Sequence, residues 1–241
     1  MSVPVALITG GARRIGAELV RQFHHEGFNI LVHCHQSLDA AEGLAGELNE
    51  LRPDSVRIVQ QNLQDPDAFD SLPEATMAAF GHLDVLVNNA SAFFPTSLES
   101  VTPDMFDELI NVNLRAPYFL SQKFSPHLKG GCMINIVDIY ADQPLEGYSA
   151  YSISKAGLAM LTRSLAVELA PDIRVNGISP GAILWPEEGM STDEDRQKLL
   201  DRIPMGRTGE PAAIAETAVF LATSADYITG QIIAVDGGSS I

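Results

Sequence analysis

Apolar residues fall along this chain in two alternating rhythms. Short unbroken runs rich in β-branched residues occur at 3–9, 29–34, 56–60, 83–88, 131–137, 174–178 and 231–235. Between them lie longer stretches whose apolar positions recur about four apart. Ile15, Leu19 and Phe23 line one of these, and Leu161, Leu165 and Leu169 another, the spacing of a helix with one buried face. Continuous apolar runs, rather than strict apolar–polar alternation, suit parallel strands covered on both sides. Strand and helix in turn predict an α/β fold: one doubly wound domain over residues 1–241, a seven-stranded parallel sheet flanked by helices. One segment breaks the rhythm. Residues 180–211 carry Pro, Gly and the acidic runs Glu187–Glu188 and Asp193–Glu194–Asp195. A connection that long reads as a substrate-side lid, or as a solvated excursion with one short helix near 193–200.

The first strand runs directly into Thr9-Gly-Gly-Ala-Arg-Arg-Ile-Gly16. A strand feeding a glycine-rich turn and then a helix is how a Rossmann-type domain grips a pyrophosphate, with free N–H groups and the positive helix end facing the anion. Arg14 stands where such loops usually carry a second glycine, so a cation borders the phosphates and the substrate.

Composition narrows the partners. The formal charge of −16 argues against nucleic acid, which wants a basic stripe, and makes a local cationic pocket necessary for any anionic ligand. Arg13 and Arg14 supply one. Cys34 and Cys132 both lie in apolar strand-like runs, which points to unpaired thiols and a reducing compartment. No apolar run reaches membrane-spanning length, and Met-Ser-Val-Pro enters the first strand without room for a signal peptide. The expectation is a cytoplasmic protein with no membrane partner. His24, His25, His33 and His35 have no Cys or carboxylate companions at a ligand spacing, so no metal is expected.

Tyr151-Ser-Ile-Ser-Lys155 places a phenol and an ammonium one helical turn apart. A phenol with a pKa near 10 is a reluctant acid at neutral pH, and a neighbouring cation favours the phenolate. Alone, the pair is a frequent coincidence. Its value lies in Asp138 at the end of the fifth strand, Asn88-Asn-Ala-Ser91 at the end of the fourth, and Asn113 in a helix-like stretch between them.

Together with Pro180-Gly181, Ile228-Thr-Gly-Gln and Val235-Asp-Gly-Gly238, these elements resemble the short-chain dehydrogenase/reductase family in order and spacing over essentially the whole chain. The resemblance implies a nicotinamide-dependent oxidoreductase. Tyr151 would be its proton donor, Lys155 would lower the phenol's pKa and hold the ribose, and Asn113 would order a relay water. It also implies a homotetramer. Three departures separate this chain from the common pattern: Asp138 for Ser, Arg14 for Gly and Ser91 for Gly. All three, with His33-Cys-His-Gln-Ser37, Asn89-Ala-Ser-Ala-Phe-Phe-Pro95 and Gln143-Pro-Leu-Glu-Gly-Tyr148, resemble the pteridine reductase branch.

Group chemistry points the same way. A carboxylate cannot donate a hydrogen bond to a ketone unless protonated, but it suits a ring that presents N–H donors. Arg14, a donor only, could meet a ring carbonyl or a water near an acceptor nitrogen. The expected reaction is NADPH-dependent reduction of a 7,8-dihydropterin, with a carbonyl or 3-oxoacyl reductase and a non-catalytic NADPH sensor as alternatives. Expected substrate contacts are Arg14, Ser91, Phe93, Asp138, Tyr148, Tyr151 and Trp185, with Phe93 stacking on the ring. Plainer readings stand beside them: Asp138 as a strand-end cap, Arg14 paired with a surface carboxylate, Ser91 as a turn residue, Tyr148 as helix packing, and Phe93 or Phe94 as a core aromatic.

For the cofactor, the first loop offers Gly10, Arg13, Arg14, Ile15 and Gly16. His33, His35, Gln36 and Ser37 follow on the second strand, where no acid stands from 29 to 38. An acid there would accept ribose hydroxyls, whereas these groups can donate to a 2′-phosphate, which favours NADPH. Relatives in the branch often carry Arg at the place of Gln36, and many carry Asp at that of Asn62. Leu63, Asn89, Ala90, Tyr151, Lys155, Pro180 and Gly181 complete the expected cofactor set.

Overall fold

The computed structural model describes residues 2–128, 130–183 and 192–241. Seven strands, β1 (Val5–Ile8), β2 (Asn29–Cys34), β3 (Val56–Gln60), β4 (Val85–Asn88), β5 (Cys132–Ile136), β6 (Arg174–Pro180) and β7 (Ile232–Val235), form one sheet. All neighbours run parallel, in the order β3-β2-β1-β4-β5-β6-β7. This is the doubly wound arrangement read from the apolar runs. β6 extends two residues beyond the predicted run because Ser179 and Pro180 pair with Ala234 and Val235.

Helices cover both faces: α1 (Arg14–His25), α2 (Leu38–Leu51), α3 (Ala68–Phe80), α4 (Pro103–Ile110), α5 (Ala116–Phe124), α6 (Ser149–Glu168), α7 (Asp193–Leu200) and α8 (Pro211–Thr223). Successive strand residues point to opposite sides. β1 sends Ala6 and Ile8 into a core shared with α1, α2 and α8, and Val5 and Leu7 into one shared with α3, α5 and α6. Chain direction places every strand's carboxyl end on one rim. The sheet order reverses between β1 and β4, so a crevice opens at their carboxyl ends, where ligands of such sheets bind. Between α4 and α5 the backbone makes a π-helical turn, Asn111–Arg115, a local widening that often marks functional sites. Periodicity alone gave no sign of it.

Within the connection 180–211, α7 occupies the stretch where a short helix was expected. Residues 184–191, with Trp185, Glu187 and Glu188, lie outside the described residues, so the lid reading is not addressed there. Among the described residues no helix is long and apolar enough to cross a membrane.

Candidate active site

The crevice holds a cleft of about 590 Å³, within the few hundred to a thousand Å³ of small-molecule sites. Its walls come from the loop after β1, the ends of β2 and β3, the segment after β4, and α4 with its π turn. Gly10, Arg13, Arg14, Ile15, Gly16, His33, His35, Gln36, Ser37, Asn62, Leu63, Asn89 and Ala90 all line it. Tyr151 and Lys155 are not among its lining residues, nor are Pro180 and Gly181. The last two close β6 against Asp236 (a Cβ on Gly181 would lie 2.7 Å from that side chain).

Close packing explains the glycines. Gly10 turns with φ +62°, and a Cβ there would approach the Ala90 backbone to 2.9 Å. At Gly16 a Cβ would fall 2.1 Å from the Gly10 carbonyl oxygen. Arg14, by contrast, adopts φ +52° with a full side chain. The backbone keeps the left-handed form that glycine takes freely, and a residue with a Cβ is strained there by about 1–2 kcal/mol. The N-terminus of α1 begins here with no side-chain cap among the described residues, so its backbone donors and dipole face the cleft. These features fit the phosphates of a dinucleotide.

Asn89 and Thr9 pin this loop to β4. The Asn89 amide donates to the carbonyls of Thr9 (2.9 Å) and Gly10 (3.0 Å), and Thr9 Oγ1 accepts from the backbone N–H groups of Asn89 and Ala90. On the β2 side the picture differs from the expectation for one residue. His33 is 2% exposed, and both its ring nitrogens are engaged within the protein: Nδ1 with the Gly10 N–H at 3.2 Å, Nε2 with the Gln61 carbonyl at 3.1 Å. It therefore has no N–H left to offer a 2′-phosphate. Burial also pushes its pKa down to about 4, so it is neutral at physiological pH. His35 and Gln36 are exposed at the rim with Arg13, beside the half-buried Ser37, and remain available for that role. Asn62 accepts the Gln64 N–H through Oδ1, leaving its amide N–H groups for a base edge.

At the proposed catalytic cluster, the Tyr151 hydroxyl donates to Asp138 Oδ2 at 2.7 Å. Asp138 Oδ1 accepts the Tyr140 N–H at 2.9 Å and caps the short turn Ile139–Ala141. One side chain thus serves as the cap through Oδ1 and meets the Tyr151 hydroxyl through Oδ2. A carboxylate has about four lone-pair sites, so two remain for another partner. Burial raises the Asp138 pKa, partly offset by the Tyr140 N–H and by Lys155.

The expected effect of Lys155 on the phenol requires correction. The Tyr151 pKa is raised well above its ordinary value, first by burial and then by the Asp138 charge; the neighbouring Ser91 hydroxyl opposes them. Lys155 Nζ is turned to the Ile136 carbonyl at 3.0 Å and stands 5.7 Å from the phenol ring centre. Complete burial also lowers its own pKa to about 8.

The Asn113 side chain is committed within the protein. It is fully buried, and Oδ1 accepts from Ser91 Oγ (3.0 Å) and the Ala92 N–H (2.8 Å), while Nδ2 donates to the Ala92 carbonyl and Ser154 Oγ, both at 3.0 Å. Four bonds exhaust the amide. The side chain braces the segment after β4 against α6 and has no capacity left for a relay water.

Ser91 and Phe93 connect the cleft to this cluster, because both line the cleft while Ser91 bonds Asn113 and Phe93 meets Tyr151. Phe93 is 52% exposed, stacks on Tyr148 (centroids 4.7 Å, 14°) and meets Tyr151 edge-on. One aromatic face is thus already covered by Tyr148. Phe94 packs beside Leu109 and Ala150. The cleft also takes in Glu108 and Val112, which the sequence reading missed; their spacing of four, on the stretch leading into Asn113, was the available signal. Ser154, which orients Asn113, was missed too, although it follows Tyr151 on the buried side of α6.

Comparison with known proteins agrees with this geometry. The family described as Enoyl-(Acyl carrier protein) reductase matches residues 10–240. The chain is 34% identical to Pteridine reductase 1 of Leishmania tarentolae, over 100% of this chain and 97% of that protein. It is 36% identical to a 3-oxoacyl-[acyl-carrier-protein] reductase of Staphylococcus aureus, over 97% and 96% respectively. A Thermotoga maritima protein of the same name is 33% identical over 97% and 96%. With a parallel seven-stranded sheet, a glycine-turned loop at the β1–β4 crevice and a Tyr–Lys pair on α6, this chain belongs to the short-chain dehydrogenase/reductase family of nicotinamide-dependent oxidoreductases.

Proposed function

We propose that the protein is an NADPH-dependent pteridine reductase. Its substrate is a 7,8-dihydropterin of the biopterin or monapterin type, with dihydrofolate as a further candidate, and its product the tetrahydropterin. The observation that carries this reading is the Asp138 carboxylate bonded to the Tyr151 hydroxyl at 2.7 Å. A ketone oxygen needs donors around it. An ionised carboxylate offers only acceptors, and an aminopyrimidine edge presents N–H groups to meet them. NADPH is favoured over NADH because the groups lining the cleft after β2 are His35, Gln36 and Ser37, with Arg13 beside them, which can donate to a 2′-phosphate.

A bound nicotinamide would supply the hydride, to C6 of a dihydropterin (with a proton to N5) or to C7 of a fully oxidised pterin (with a proton to N8). The protein's part is to orient the ring and move protons. Phe93 and Tyr148 form an aromatic wall, and Arg14 holds donors near the opposite edge. For a fully oxidised pterin, a protonated Asp138 passes its proton to the Tyr151 oxygen as the phenol releases its own to N8. The pair then stands as carboxylate and neutral phenol, the arrangement seen here, and no phenolate forms in a site that disfavours one. For N5 of the dihydropterin, a water beside Arg14 is the donor.

A 3-oxoacyl reductase is the second reading, supported by relatives of equal similarity; Asp138 weighs against it. The intact Tyr151–Lys155 pair weighs against a non-catalytic sensor. We read the protein as cytoplasmic and as a homotetramer; the assembly is supported by Ile153, Met160 and Val167, which expose an apolar row along α6, and light scattering tests it. The activity is tested by mixing purified protein with NADPH and dihydrobiopterin or dihydromonapterin and following the loss of absorbance. Turnover is expected. No turnover, beside rapid reduction of an acetoacetyl thioester, overturns the substrate assignment.

A further inference from the structure

We infer that His33 is a positioning residue for the cofactor: as a neutral imidazole it holds Gly10, and with it the phosphate loop, in binding shape before any ligand arrives. This role presupposes the family's nicotinamide dinucleotide in the cleft; the brace itself follows from donor and acceptor matching. The Gly10 N–H can only donate, so Nδ1, 3.2 Å away, must be an unprotonated acceptor. The Gln61 carbonyl can only accept, so Nε2, at 3.1 Å, must carry the proton. One tautomer satisfies both.

The same residue's carbonyl accepts the Gly11 N–H at 2.9 Å, and Gln61 N–H donates to the Cys34 carbonyl at 3.0 Å. His33 therefore ties together three connections on the ligand rim: the loop after β1, the end of β2 and the turn after β3 that carries Asn62 and Leu63. Gly10 is gripped from the other side by the Asn89 amide on its carbonyl and by contact with Ala90. Both polar groups of Gly10 are thus spent inside the protein. The loop is ordered on folding rather than on binding, which lowers the entropy lost when a ligand is taken up. A ring that merely filled space would need neither nitrogen placed.

Three variants separate the roles. In His33→Asn the amide oxygen stands near the position of Nδ1 and retains a partner for Gly10. In His33→Gln the longer amide reaches the Gln61 carbonyl instead, and His33→Leu keeps neither. Affinities for NADPH and for 2′,5′-ADP are measured by fluorescence titration or calorimetry, beside thermal stability. NADPH binding is expected to weaken at least tenfold in the Leu and Gln variants and less than threefold in the Asn variant, whatever the order of melting temperatures. Wild-type affinity in the Leu variant, or losses that track melting temperature alone, overturns the inference. A ¹⁵N NMR spectrum of the imidazole in the unliganded wild-type protein is the independent check. Protonation at Nδ1 overturns the brace. Wild-type protein that binds no nicotinamide dinucleotide, yet shows the Nε2–H tautomer with Nδ1 bonded to Gly10, overturns the cofactor reading and leaves the brace standing.

Discussion

The phosphate end of the cleft, around Gly10 and His33, is held by neutral groups whose donors and acceptors are matched. The proposed catalytic cluster of Asp138, Tyr151 and Lys155 buries three ionisable groups, each with its pKa displaced in the direction of the neutral form. Binding a constant ligand portion calls for a fixed shape, and matched neutral hydrogen bonds provide one without desolvating charge. Moving a proton calls for groups near the point of changing charge, and burial brings them there at the expense of stability. Arg14, on the cleft wall, keeps a left-handed backbone that a residue with a Cβ adopts at a cost.

The largest effect expected from this division is at Tyr151. Tyr151→Phe removes the relay hydroxyl and should lower kcat by about 10²–10⁴-fold, with NADPH affinity within twofold in a binding titration. Equal losses of both would mean that the two regions are not separable.

His33 comes next. Its folded-state pKa of about 4 lies below the ordinary 6.5, so the unfolded chain binds a proton that the folded chain excludes. Its contribution to stability is complete above pH 6.5 and is lost as the pH falls towards 4, by roughly 3 kcal/mol at most. Denaturant melts of wild-type protein and His33→Asn should converge across that window. A constant gap would assign the acid sensitivity to other groups, His24 with its lowered pKa first among them.

Asp138 shifts the opposite way. Its raised pKa means that ionisation counts against the folded state above the ordinary carboxylate value of 3.8. Asp138→Asn should therefore raise Tm at pH 7 by a few degrees, about 2–4 °C for each kcal/mol in a domain of this size. The gain should vanish near pH 3, where both states are protonated, and pterin reduction should fall sharply. Asp138→Ser should likewise lose most of that rate while ketone reduction is kept or rises. A lower Tm at pH 7 would show that the carboxylate stabilises the fold. The smallest effect belongs to Arg14→Gly. Relief of the left-handed backbone should add up to about 1 kcal/mol in denaturant melts, while KM for the pterin rises.

Much of the fold and the order of the site were legible in the chain. The apolar runs located all seven strands, because a strand covered on both faces must be apolar throughout. The glycines of the first loop were readable because no Cβ fits at Gly10 or Gly16. Less legible were the roles. Asn113 looks identical in sequence whether its amide is free or saturated. His33 and His35, two residues apart on one strand, invited one reading, yet one is sealed beneath the loop and the other is exposed. Glu108 and Val112 reach the cleft only because α4 and its π turn cross the rim.

What the chain determined by itself was therefore local and steric: where strands run, where glycine is obligatory, which residues of α6 share a face. Tertiary structure alone decided the electrical state of the site. It turned Lys155 to a carbonyl rather than to the phenol, chose the tautomer of His33, and raised the Tyr151 pKa by burying it beside a carboxylate. Those outcomes depend on desolvation and on partners distant in sequence, and neither is written in any short stretch of residues.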